Sequence, residues 1–271
     1  MHYTVAVITN DGDEGTIEDL LAPYDEGIEV APYIDQTKQE IIDNKRKQIE
    51  SLKRDMESYA NGTYDTENYC TYWLGDDGNF VPYWKEILEL DGKPDEELYK
   101  HCRYEGDEDN YDENGNELST YNPKSKWDWY TIGGRWDGYF NLKETNDNSN
   151  SAKISDIVWE GTAEQKAEAK EFWEQYIEGK LPANGKEPMR FWYKKEYYTE
   201  RYNGKEDYIE RSTFTCPYAV VTPDGVWHAP GEMHWFSSSE DGNDQIEYEN
   251  WFRNYIKENQ DKYITLVDCH I

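Results

Sequence analysis

Apolar positions along this chain recur at two periods, and the switches between them mark out its elements. Residues 2–8 alternate, with Tyr3, Val5 and Val7 on one face and His2, Thr4, Ala6 and Ile8 on the other, before a turn at Asn10-Asp11-Gly12-Asp13. That period of two predicts a short β-strand, and residues 263–271 predict another at the far end. Residues 22–32, with two prolines and a glycine, read as a loop. Helical spacing is clearest over 35–59, where Ile42, Ile49, Leu52, Met56 and Tyr59 share a face ahead of Asn61-Gly62. The spacing predicts two more amphipathic helices. Over 163–178, Ala169, Phe172, Trp173, Tyr176 and Ile177 face together before Gly179; over 244–259 the face is Ile246, Trp251, Phe252, Tyr255 and Ile256. A short helix over 95–103 follows Pro94. Residues 189–215 read as a strand pair turning near Asn203-Gly204, and 218–222 with 225–228 as a hairpin around Pro223-Asp224-Gly225.

The fold class this predicts is α+β: a mainly antiparallel sheet with about three amphipathic helices packed on it. No repeat or linker divides the chain, so residues 1–271 are expected as one domain, with a helical and irregular insertion at about 35–120.

Charge changes the picture. The 58 acidic residues outnumber the 28 basic ones, for a net charge of −30, while only 36% of residues are hydrophobic. Those numbers alone lean toward disorder, but 24 Tyr, 11 Trp and 7 Phe supply the buried area of a globular core. An acidic exterior repels phosphates, which argues against direct DNA or RNA binding, and attracts basic surfaces. Lys45, Arg46, Lys47, Lys53 and Arg54 concentrate in the 35–59 helix, which is expected to dock on an acidic part of the same fold. Cys70, Cys102, Cys216 and Cys269 form no CxxC pair, so a reducing compartment is the default. With no signal-peptide pattern and no membrane-spanning run, the expectation is a soluble intracellular protein.

Three constellations bear on chemistry. If the terminal strands pair antiparallel, His2, Asp268 and His270, all at even positions, can share a face and hold a divalent metal or transfer protons. His2-Tyr3-Thr4 also has the His-x-Thr form of two-histidine phosphodiesterases, but no second copy follows. His228 and His234 are further candidate ligands. The densest stretch, KWDWYTIGGRWDGYF at 126–140, reads either as a hairpin whose indoles are core or as a pocket. In the pocket, Trp127, Trp129 and Trp136 stack a planar group and Arg135 pairs an anion, unless Asp128 or Asp137 consumes Arg135. In the acidic tract at 107–117, a calcium loop starting at Asn110 would need a Glu where Tyr121 stands. Walker, Rossmann, G-x-S-x-G and HExxH motifs are absent.

The blocks HYTVAVI, LLAPYDEGIEV, YNPKSKWDWYTIGGRWDGYF, PYAVVTPDGVWHAPGEMHWF and ITLVDCHI together resemble a family of bacteriophage and prophage proteins. That family is marked by a WDWYxIGGRW-type centre and a terminal VDCHI. The resemblance implies a viral origin and supplies no activity. The expectation drawn from it is a phage-encoded inhibitor in the cytoplasm of the infected bacterial host. It would bind a host defence or nucleic-acid-processing protein with a basic surface through nucleic-acid mimicry, with no cofactor. Asp107, Glu108, Asp109, Asp112, Glu113 and Glu117 would form part of the contact face. The alternative is a protein that binds, degrades or sequesters a nucleotide signal through the Trp/Arg pocket, with a divalent metal at His2, Asp268 and His270. A third, a virion assembly protein, would form a homo-oligomer.

Overall fold

The computed structural model describes residues 1–66, 69–75, 77–103, 106, 108–145, 147–181, 193–233, 239–241 and 245–271. The chain divides into two compact units, Met1–Ile28 with Asn122–Ile271, and Glu29–Tyr121. The segment expected as an insertion lies within the second.

A mixed sheet forms the centre of the first unit. Its strands run in the spatial order β10 (Trp227–His228), β9 (Ala219–Val221), β1 (His2–Thr9), β13 (Tyr263–His270) and β4 (Trp129–Ile132), and β7 (Ser151–Lys153) also pairs with β13. The chain ends pair antiparallel along their whole length, from His2 opposite His270 to Thr9 opposite Tyr263. β9 lies parallel to β1, and β4 antiparallel to β13 with Trp129 opposite His270. Strand alternation then sorts the two faces. Tyr3, Val5, Val7, Val267 and Cys269 pack on one face with Ile17 and Leu21 of α1 (Glu14–Leu21) and with Trp127. Ala6, Ile8, Ile264 and Leu266 pack on the other with Phe252 and Ile256 of α8 (Gln245–Glu258). Joining them there are Phe140 and Ile157, from a small sheet of β6 (Asn148–Ser149), β5 (Phe140–Leu142) and β8 (Ile157–Val158). This second face is apolar only over its inner part; toward the start of β1 it ends in Thr4 and His2.

β9 and β10 form the predicted hairpin, closed by Thr222 and Val226, with the Gly225 N–H donating to the Thr222 carbonyl. His228 stacks on Trp251, ring centroids 4.2 Å apart, and burial lowers its pKa while Asp224 partly offsets that fall. The folded state therefore opposes protonation of this ring. Its contribution to stability is complete above the unfolded value of about 6.5 and is lost as pH falls from there through the lower folded value. His228→Phe, which keeps the stack, is expected to flatten that part of the stability–pH curve, measured as urea midpoints between about pH 6.5 and 5.

Of the strand pair expected over 189–215, residues 189–192 lie outside the described residues and 193–215 fold otherwise. They form α6 (Lys195–Arg201) and α7 (Lys205–Ser212), not a strand pair. Gly204, at φ +94°, separates two helices rather than turning a hairpin. Tyr198 and Tyr202 lie one helical turn apart and, with Tyr208, gather with Phe172 and Trp173 into a satellite aromatic core. Those last two come from α5 (Ala163–Phe172), opened by a Thr162/Gln165 capping box, and the π-turn Trp173–Ile177 that continues it. β11 (Gly231–Met233) pairs with β12 (Ser239–Asp241).

The second unit packs α2 (Lys38–Ala60) with α3 (Pro82–Glu89) and α4 (Asp95–Cys102) around Ile49, Leu52, Trp73, Ile87 and Leu98. β2 (Tyr33–Gln36) and β3 (Glu117–Ser119) close its ends. The basic face of α2 meets acidic partners within the unit: Lys38 with Glu96, Arg46 with Asp95, Lys53 with Asp91. The fold is α+β with mainly antiparallel pairing. Eight α-helices, not three, occur among the described residues: α4 answers to the short helix expected after Pro94, and α1, α3, α6 and α7 are too short to register as a periodic face or lie in segments read as loop or strand. Among the described residues no helix is long and apolar enough to cross a membrane.

Candidate functional site

The end-to-end pairing of β1 and β13 aligns His2, His270 and Trp129 in one row across three strands. Thr4, Asp268 and Thr131 form the next row on the same face. His2 Nδ1 donates to Asp268 Oδ1 at 2.8 Å, and His270 Nδ1 donates to Asp128 Oδ1 at 2.8 Å. An ionised carboxylate only accepts, so each bond fixes the proton on Nδ1 and leaves Nε2 as the basic nitrogen. The two rings meet edge to face with centroids 4.9 Å apart, and Trp129 stacks on His270 at 5.3 Å. The predicted trio is thus brought together, with a fourth member: Asp128, which sequence reasoning weighed only as a partner for Arg135.

The glycine pair explains how Asp268 is held. Gly133 and Gly134 sit at φ +70° and +54°, open to glycine and strained for other residues. A Cβ on Gly134 would lie 2.4 Å from the Asp268 Cβ, and one on Gly133 2.3 Å from the Asn150 side-chain nitrogen. The turn lays its backbone on Asp268, and the Arg135 N–H donates to Asp268 Oδ2 at 2.9 Å. Asp268 is buried and has both oxygens occupied, one by His2 and one by this N–H. The Arg135 side chain is exposed. Among the described residues its guanidinium has no ion-pair partner: Asp128 is taken by His270, and Asp137 accepts from Asn150.

The three-tryptophan pocket does not assemble. Trp127 is 7% exposed, on the opposite face of the sheet, with its indole N–H donating to the Leu21 carbonyl. Trp136 is partly buried against the Phe140 core. Only Trp129, 44% exposed, stays at the surface. The stretch is not a hairpin either, since β4 pairs with β13.

Among the acidic residues, Glu108, Asp109 and Glu113 are exposed. Asp112 closes a turn, accepting from the Asn114 and Asn116 N–H groups, which lowers its pKa. Glu117 is half-buried in β3. Asp107 and His234 lie outside the described residues. With both Nδ1 atoms engaged, each imidazole has one nitrogen left for a cation. Among the described residues no group of three or more His, Cys, Asp or Glu side chains is arranged to hold a metal ion. Comparison with protein-family models, with curated proteins and with solved structures finds no match.

Proposed function

We propose that the protein is an acid–base phosphoesterase acting on a nucleotide or nucleotide signal, with His2 and His270 as its proton-transfer pair. The observation that carries this reading is two imidazoles in contact, each oriented by its own carboxylate and each with Nε2 to spare. In hydrolysis His270, the more exposed ring, takes a proton from the attacking water as its oxygen bonds to phosphorus. Protonated His2 gives its proton to the leaving oxygen as that phosphorus–oxygen bond breaks, and solvent resets both rings. The exposed Arg135 guanidinium offsets phosphate charge, and Trp129, stacked on His270, keeps that ring in place. The test is turnover of cyclic mononucleotides and cyclic dinucleotides by the purified chain, expected to be bell-shaped in pH. Turnover that survives EDTA assigns the chemistry to the imidazoles; turnover lost to EDTA and restored by Mg²⁺ or Zn²⁺ gives the Nε2 atoms a ligand role. No turnover of any of these esters rejects the reading.

The net charge of −30 favours a second reading, the phage-encoded inhibitor of a host defence or nucleic-acid-processing protein. Exposed Glu108, Asp109 and Glu113 would contribute to its contact surface. Complexes captured from infected host cells are expected to hold at about 50 mM salt and dissociate by about 500 mM. Capture that is indifferent to salt counts against charge mimicry.

A further inference from the structure

We infer that a cavity beside Thr4 seats the uncharged ring system of the substrate, a nucleobase, while its phosphate meets the imidazole row. This rests on the acid–base reading above. The cavity, about 300 Å³, is lined by Thr4, Cys216, Pro217, Tyr218, Tyr248 and Glu249 among others. Thr4 ties it to the site. It lies two residues along β1 from His2, on the same face, and pairs in register with Asp268. On its other side the Thr4 hydroxyl accepts from the Tyr218 N–H at 2.9 Å. Thr4 therefore borders both the cavity and the carboxylate that orients His2.

The lining selects for a neutral group. Burial, reinforced by the neighbouring Glu249 charge, pushes the Cys216 thiol well above its ordinary range, so it stays protonated at neutral pH. Burial does the same to the Tyr248 phenol, whose O–H donates to the Pro217 carbonyl at 3.0 Å. The Glu249 carboxylate is compensated by Arg253 at 2.6 Å and Arg211 at 3.3 Å. Among the described residues no lysine or arginine lines it, so none of these draws a phosphate in. Ring faces, a thiol and a hydroxyl suit a flat heterocycle with donors and acceptors on its edge. The volume sits at the small end of ligand sites and matches one ring system rather than a dinucleotide.

The test uses adenosine, guanosine, cytidine and uridine, which lack the phosphate. At least one is expected to bind the wild-type chain by calorimetry, and to bind His270→Gln equally well. Cys216→Phe, which fills the cavity, should weaken that binding at least tenfold. A saturating nucleoside should also slow hydrogen exchange of the Tyr218 N–H, which donates to Thr4 at the cavity wall, in the wild-type chain, and this decides the matter if the variant does not fold. No binding of any nucleoside overturns the inference, as does binding that neither slows exchange at Tyr218 nor responds to Cys216→Phe. Phosphoester turnover without nucleoside binding sinks the pocket alone. Nucleoside binding with slowed exchange at Tyr218 but no turnover upholds the pocket and rejects the acid–base chemistry.

Discussion

Replacing His270 by glutamine is expected to lower kcat for a nucleotide phosphoester by about 10²–10⁴-fold, the usual contribution of a positioned general base. Glutamine keeps an amide that can donate toward Asp128 but has no titrating nitrogen where Nε2 stood. His270 is only partly buried and its backbone stays in β13, so the urea midpoint should hardly move. His2→Gln should cost a similar factor, and the double variant little more than either single one, because two groups serving one proton circuit are not additive. Asp128→Asn separates orientation from mere structure. An amide can donate to Nδ1 and turn the imidazole into the wrong tautomer, so kcat should fall with KM nearly unchanged, and the pH profile should shift. A His270→Gln variant with wild-type kcat would remove His270 from the chemistry.

The sequence made some of this legible and hid the rest for definite reasons. His2, Asp268 and His270 could be placed on one face from parity alone, because strand side chains alternate strictly; only the antiparallel pairing had to be assumed. Asp128 could not be found that way. It joins the site through the alignment of β4 on β13, where Trp129 falls opposite His270 and the Asp128 N–H donates to the His270 carbonyl. That register comes from tertiary pairing of segments more than a hundred residues apart. Parity fails for the three-tryptophan pocket, because Trp127 lies before β4, bridged to Asp25, and turns into the core on one face, while Trp129 stands at the surface of the other and Trp136 follows the glycine turn to the edge of the Phe140 cluster. Long helices were readable because several apolar turns repeat in α2 and α8. The eight-residue α1 and the two helices of 195–212 offer too few turns to set a period, and tyrosine-rich sequence fits a strand as well.

Gly134→Ala is expected to be among the most damaging single-methyl changes in the chain, and it joins fold to site. Holding alanine at φ +54° costs about 1 kcal/mol through lost left-handed freedom. The added Cβ would lie 2.4 Å from the Asp268 Cβ and 2.5 Å from its Oδ2, so the turn and Asp268 must part. Overpacking of that kind costs roughly 1–3 kcal/mol more. Together this is about 2–4 kcal/mol, a large share of the roughly 5–15 kcal/mol that holds a domain folded. Separation also withdraws the Arg135 N–H from Asp268 Oδ2, so the carboxylate loses its second anchor and His2 its fixed orientation. Turnover should therefore fall even where the variant remains folded. Gly179 supplies the control within the same unit, with φ +73° but nothing within 4 Å of a Cβ built there. Gly179→Ala should show the backbone cost of about 1 kcal/mol alone and leave turnover untouched. Urea unfolding of the two variants, with activity measured on the folded fraction, compares them directly. Equal destabilisation at both positions would mean that the approach of the glycine turn to Asp268 is not what makes Gly134 necessary.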